Sequence, residues 1–282
     1  MTINDNNFLA NLESFPTLPT VYTTILEKIQ DPKTTVKDLA SILILDQSST
    51  LKLLSIVNSS MFSIRSKVSS ISQAISLLGF NEVRDTLLTL SVLTFFKHVK
   101  SNRGFNIVEL WKHSIAVGVI SKLISKNLNL KSSDQFFIAG ILHDIGKLLL
   151  IQVFGDQYIN VLNEVSLKKV NLNKLEIEKF GIDHTDAGVL IAQKWNMPDS
   201  LLDCIQYHHR LDFKNPNIEL IACVYLGNLL ASGMQLGSSG TFLIEKPNAK
   251  VFEILNIKEG FIKSQFSEII TSYNESLAIL KL

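Results

Sequence analysis

From Val21 onward, apolar residues recur every three or four positions, and polar breaks cut the pattern into short segments. Val21, Ile25, Leu26 and Ile29 share one helical face that stops at Asp31-Pro32. Thr35 and Asp38 have capping-box spacing, with Asp in place of the usual Glu or Gln, and predict a helix through Leu45. Ser49 or Thr50 is placed to cap the next helix, which carries Leu51, Leu54 and Val57 as far as Asn58. Ile71, Ala74, Ile75 and Leu78 predict another, ended by Gly79. Asn81 then caps a longer helix bearing Val83, Leu87, Leu90 and Phe95. The polar stretch 97–106, with Gly104, marks a boundary.

Beyond the boundary the periodic segments lengthen. They predict helices over 108–127, 136–154 (a pair broken near 144–146), 158–169, 173–180, 184–195, 199–208 and 217–231. The stretch 232–250 holds Gly233, Gly237 and Gly240 and reads as a loop, or a short hairpin around TFLIE; a last helix covers 259–280. The fold class expected is all-α. A multi-helix subdomain over 1–105 packs on a helical bundle over 106–282.

Composition sharpens this picture. Charged residues make up 19% of the 282, below the roughly 25% of an average globular chain, which excludes a disordered protein. Only 13 Gly and 6 Pro occur, too few for a turn-rich barrel or sandwich. A net charge of +1 gives no electrostatic footprint for nucleic acid or an anionic membrane. Cys204 and Cys223 form neither a CxxC pair nor a disulfide framework, which fits a reducing compartment. The first basic residue is Lys28, so no secretory leader is expected and the location reads as cytoplasmic. The most apolar window, 136–154, has His143, Asp144 and Lys147 at its centre. In a bilayer each charged group there would cost about 3 kcal/mol, so a buried helix pair carrying a site is the better reading.

Five of the six histidines, His113, His143, His184, His208 and His209, fall within the second part. Two positions are diagnostic: the adjacent His143-Asp144 and His208-His209. Glu109 and His113 lie four apart on a predicted helix and share a face. Imidazole with carboxylate suits Zn, Fe, Mn or Ni, and the lack of nearby cysteines argues against a structural zinc site. Helical bundles build metal centres from ligands on several helices in this way. Burying so many titratable groups with no metal would be costly. Asp183 and Asp186 read as a helix start or as support for the site, Asn58 as fixing a helix end, and Trp111 and Trp195 as packing anchors. Met61 and Phe62 read as core, or else as a partner surface. His98 belongs to a surface run.

The combination, in order, of FPTLP (15–19), LASILILDQSSTLKLLSIVNSSMF (39–62), SISQAISLLGFNEVR (70–84), LWKHS (110–114), AGILHDIGKLLL (139–150), EKFGIDHTDAGVLIAQKWNMP (178–198) and YHH (207–209) resembles the HDOD group of the HD superfamily. The resemblance implies an HD-like bundle and a bacterial signalling or regulatory module that acts through protein partners. A nucleotide or phosphate is the candidate ligand of its pocket. Many members of the group lack the metal ligands of the catalytic relatives, which include HD-GYP cyclic dinucleotide phosphodiesterases. Here the ligand positions map onto Glu109, His113, His143, Asp144, His184, His208 and His209, and Lys147 onto a phosphate-steadying lysine, although its residue type reads equally as a lysine whose stem packs and whose head pairs with a nearby acid. If the chain were an active phosphohydrolase, Asp144 would bridge two ions and Lys147 would complete the catalytic pair. Two departures point to weak or absent activity. Asn228 stands where a closing Asp is expected and is a poor ligand, and RLDFKNP follows His209 in place of the Gly-Tyr-Pro loop.

Overall fold

The computed structural model describes residues 6–58, 67–98, 106–130, 133–240, 243–258 and 260–280. All regular structure among them is helical. The chain divides into two compact units, one of residues 1–16 and 100–269 and one of residues 17–99 and 270–282.

The second unit contains α2 (Thr20–Ile29), α3 (Val36–Ile44), α4 (Gln47–Val57), α5 (Ile71–Leu78) and α6 (Phe80–His98). Its local signals are the ones seen in the sequence. Thr35 and Asp38 form a reciprocal capping box, with Thr35 N–H donating to Asp38 Oδ2 at 2.9 Å and Asp38 N–H to Thr35 Oγ1 at 3.2 Å. Helix α5 is capped by Ser70 and stops at Gly79, whose φ of +82° favours glycine. Two expected starts are displaced. Helix α4 opens at Gln47 because Asp46 caps it, accepting from Ser49 N–H at 3.2 Å and Ser49 Oγ at 2.7 Å. Asn81 lies inside α6, where its Oδ1 accepts from Arg84 Nη1 at 3.4 Å. Asn58 ties the end of α4 to the segment before α5. Its Nδ2 donates to the carbonyls of Leu54 and Val68 at 2.7 and 2.8 Å, and its Oδ1 accepts Val68 N–H at 2.8 Å. Met61, Phe62 and Gly104 lie outside the described residues.

The first unit is built around α7 (Ile107–Asn127), which buries most of its surface between α8 (Ser133–Leu142) and α14 (Ile218–Gly233). Asn106 caps it, accepting from the N–H groups of Val108 and Glu109. Ser121 Oγ donates across to the Cys223 carbonyl of α14 at 3.2 Å. The remaining helices are α9 (Gly146–Phe154), α10 (Asp156–Lys168), α11 (Leu172–Phe180), α12 (His184–Lys194), α13 (Asp199–Tyr207) and α15 (Lys250–Ile254); α12 packs on α9 and α13. The last helix, α16 (Phe261–Leu280), runs past the unit boundary at Ile269. Within the apolar stretch 135–154, which is long enough to span a membrane, 89% of the window is buried in protein.

Helix α1 (Asn6–Ser14) was not expected from so polar a sequence, and it belongs to the first unit although a boundary at 105/106 would assign it elsewhere. The cause is a set of contacts to α12. Lys194 Nζ donates to the carbonyls of Leu12, Glu13 and Phe15 at 2.8, 2.6 and 2.8 Å, satisfying the open end of α1. Trp195 donates through Nε1 to the Pro16 carbonyl at 2.9 Å, and its ring lies 5.9 Å from that of Phe15. Residues 243–248 carry no strand, and Thr241 and Phe242 of the expected hairpin lie outside the described residues.

Replacing Asn58 with alanine removes both links to Val68. The expected loss is about 1–3 kcal/mol of unfolding free energy, the cost of leaving buried polar groups unpaired. Denaturant titration checks it, and an unchanged midpoint would remove Asn58 as the tie between α4 and α5.

Candidate metal centre

The chain breaks between α8 and α9 at residues 143–145, and the break is where the chemistry concentrates. His143 directly follows α8, and His208 is the C-cap of α13. Each uses its ring to close its own helix. His143 Nδ1 donates to the Gly140 carbonyl at 2.7 Å and His208 Nδ1 to the Ile205 carbonyl at 2.9 Å. Helix ends leave such carbonyls unpaired, so local backbone chemistry sets both rings as Nδ1–H tautomers. Their Nε2 atoms then carry bare lone pairs that face the Asp144 carboxylate. His143 Nε2 lies 3.3 Å from Oδ2 and His208 Nε2 lies 3.6 Å from Oδ1.

His184 is the first residue of α12. Asp183 caps that helix, its Oδ1 accepting from the N–H groups of Thr185 and Asp186 at 2.9 and 3.0 Å. His184 Nδ1 bonds Glu176 Oε2 at 2.6 Å, and its Nε2 lies 3.3 Å from Asp144 Oδ1 and 3.0 Å from His209 Nε2. The starts of α9 and α12 approach so closely that a Cβ on Gly146 would collide with the His184 carbonyl and the Gly188 amide. That contact brings Asp144 and His184 together from positions 40 residues apart in the sequence.

The result is two ligand groups sharing one carboxylate. Asp144, His184, His208 and His209 offer ligand atoms within 4.8 Å of one another, and so do His113, His143 and Asp144. His113 donates through Nε2 to Asn228 Oδ1 at 2.9 Å. Four buried ligand atoms have no hydrogen-bond partner: His113 Nδ1, His143 Nε2, His208 Nε2 and Asp144 Oδ1. Burial holds the His113 pKa down at about 3, with His143 adding to the effect. It holds His208 at about 4 and keeps His209 well below the ordinary value. Burial would raise the Asp144 pKa, but His143 and Lys147 outweigh it and keep the carboxyl well below the usual range. Neutral rings at His113, His208 and His209 therefore stand around an anion, with unpartnered ligand atoms on His113, His143, His208 and Asp144, and a divalent cation relieves that arrangement.

Glu109 stands apart from the centre, and Lys147 takes the second of its two expected roles, pairing with a nearby acid. The Glu109 carboxylate pairs with Lys112 at 2.9 Å and belongs to neither ligand group. Lys147 is 1% exposed, and its ammonium donates to Asp144 Oδ2 at 2.7 Å and to the Ser239 carbonyl at 2.9 Å. That carbonyl belongs to a strap crossing α7, where Ser238 N–H donates to the Glu109 carbonyl at 2.9 Å. Gly237 makes the crossing possible. Its φ is +71°, and a Cβ there would collide with the His113 amide. A cleft of about 550 Å³, including its open mouth, reaches the centre past His208, His209, Asn228 and Tyr225, with no Lys or Arg among its lining residues.

Sequence reasoning missed Glu176, Tyr158, Gly237 and Ser239. Glu176 was the most readable of these. It interrupts the buried stripe Leu172, Leu175, Phe180 of α11 with a carboxylate that is itself 0% exposed.

The sequence profile of the HDOD domain family matches residues 15–211. A solved HDOD domain protein of unknown function from Geobacter sulfurreducens is 25% identical, with a TM-score of 0.73 over 95% of this chain and 97% of that one. A candidate phosphohydrolase from Shewanella amazonensis is 21% identical, with a TM-score of 0.72 over 99% and 98%. A candidate signal transduction protein from Marinobacter aquaeolei is 20% identical, with a TM-score of 0.74 over 99% of this chain and 65% of that one. An uncharacterized Treponema pallidum protein is 22% identical over 205 residues, which are 71% of this chain and 38% of that protein's length.

The depressed histidines fix the sign of a pH effect in metal-free protein. Their folded pKa values lie below the unfolded value near 6.5. The unfolded chain therefore binds more protons in acid, and the stability contribution is intact above about pH 6.5 and lost as pH falls toward 4. Each of the two groups is expected to cost about 2–3 kcal/mol by pH 4.5. Denaturant unfolding of chelator-treated protein between pH 7.5 and 4.5 measures it, and a flat profile would show that these rings are not held neutral. Gly146→Ala is expected to be among the most damaging single substitutions, because backbone rather than a flexible side chain occupies the space. Thermal unfolding near the wild-type midpoint would count against the close approach of α9 and α12.

Proposed function

The chain belongs to the HDOD domain family, and on that premise we propose that it is a bacterial signalling module, acting in the cytoplasm through protein partners, with a buried centre that holds divalent metal. The observation that carries the metal reading is the set of four unpartnered ligand atoms around a shared, fully buried Asp144. Asp144, His184, His208 and His209 would hold one ion; His113 and His143, with Asp144 between, would hold a second. Fe, Mn, Zn and Ni all suit such donors. Asn228 bonds His113 and offers only a neutral amide oxygen, so the second position is the weaker one.

A second reading is a metal-dependent phosphohydrolase, supported by the same centre and by the open cleft beside His208 and His209. When bound, the metal would supply Lewis-acid stabilisation of a phosphoryl oxygen. This chain's own residues favour the regulatory reading. The Lys147 ammonium, the group best placed to steady a phosphate, is committed to Asp144 and Ser239. The described residues lining the cleft include no Lys or Arg, and so offer no clamp for the second phosphate of a cyclic dinucleotide.

Elemental analysis of protein purified without chelator is expected to find divalent metal in the centre, and cyclic di-GMP assays with added Mn or Fe are expected to show slow turnover or none. A protein that takes up no metal overturns the metal reading, and turnover near about 10 per second would make the enzyme reading the correct one. Asn228→Asp adds an anionic oxygen at nearly constant shape. A carboxylate on His113 Nε2 would strengthen the free Nδ1 as a donor, so the change is expected to raise affinity at the His113 position by about tenfold or more. Calorimetric metal titration of both proteins decides it, and equal affinities would show that residue 228 does not tune His113.

A further inference from the structure

Among the centre's histidines, His184 alone is hydrogen-bonded to a carboxylate. His143 and His208 lean on carbonyls of their own helices, whereas His184 leans on Glu176, eight residues earlier on α11. Glu176 is fully buried. Its Oε2 accepts twice from His184, from the backbone N–H at 3.0 Å and from Nδ1 at 2.6 Å. Its Oε1 accepts the Tyr158 hydroxyl of α10 at 2.6 Å. Its one ion-pair partner among the described residues is His184 itself, so no Lys or Arg competes for the charge. Three donors thus converge on two oxygens, and what a neutral amide in this place could not supply is the negative charge.

We propose that Glu176, steadied by Tyr158, is a positioning residue of the metal centre: it locks His184 as the Nδ1–H tautomer and aims the Nε2 lone pair at the ion position shared with Asp144, His208 and His209. The inference rests on the metal reading above and adds a residue outside both ligand groups. A carboxylate on the far ring nitrogen does more than orient. Its negative charge makes the ring a stronger donor, which a carbonyl does less well. His113 also bonds a side chain on another helix, but Asn228 is a neutral amide; His184 is the ring backed by a charged group.

The test compares wild type with Glu176→Gln and Tyr158→Phe. Long-range ¹H–¹⁵N spectra of the imidazoles in metal-free protein report each tautomer, and Zn(II) titration reports affinity. Wild type should show His184 as Nδ1–H. Glu176→Gln, whose amide oxygen still accepts from Nδ1–H, should keep the tautomer but lose the charge and bind Zn(II) about 10–100-fold more weakly, with the His113 and His143 signals unmoved. Tyr158→Phe should keep the tautomer and lose less affinity. An Nε2–H tautomer for His184 in wild type overturns the proposal without any variant having to fold. Equal Zn(II) affinity in wild type and Glu176→Gln overturns it while leaving the metal reading intact. A wild type that binds no Zn(II) overturns both, even with the tautomer as expected.

Discussion

A fully buried carboxylate, Asp144, sets the terms for the rest of the first unit. An isolated anion in a protein interior is costly, and the structure surrounds this one with Lys147 and five imidazoles. Every helix near it is placed to serve that arrangement. The break between α8 and α9 presents the carboxylate, the start of α12 brings His184, the end of α13 brings His208, and the central α7 brings His113. The lysine balances the charge in the absence of metal. His113, His208 and His209 complete the shell without adding charge, because burial keeps them neutral.

Adjacent dipeptides and matched spacing made most of this centre legible in the sequence. His143-Asp144 stands out because it interrupts the most apolar window of the chain, and His208-His209 because two histidines lie side by side. What could not be read was anything decided by approach between distant segments. Glu109 and His113 share a helical face by spacing, yet Glu109 has Lys112 within reach and stays with it. Periodicity assigns a face but says nothing about competing partners. Glu176 lies on a buried stripe whose pattern suggested only core, and its importance appears only when α10 and α12 close around it. Gly237 looked like loop punctuation, whereas its lack of a side chain lets the strap lie on α7.

Helix boundaries followed the same division. Thr35 with Asp38, Ser70 and Gly79 signal their elements through bonds within a few residues, and the structure makes them. Helix α1 has no such local signature. Its C-terminal carbonyls are satisfied by Lys194, about 180 residues further along the chain, so nothing in the segment itself announces a helix. The expected division of the chain misplaced the N-terminal residues for that reason.

The two histidines that close their own helices have a consequence for ion binding. A ring already fixed by a backbone carbonyl has no rotamers left to lose when an ion arrives. The ordering cost is met once, during folding, in the same bonds that finish α8 and α13. An ion bound at such a centre would therefore meet little cost in ordering these two rings. A centre built this way behaves less like a hinge that closes on its ligand than like a socket whose shape exists before anything is put in it.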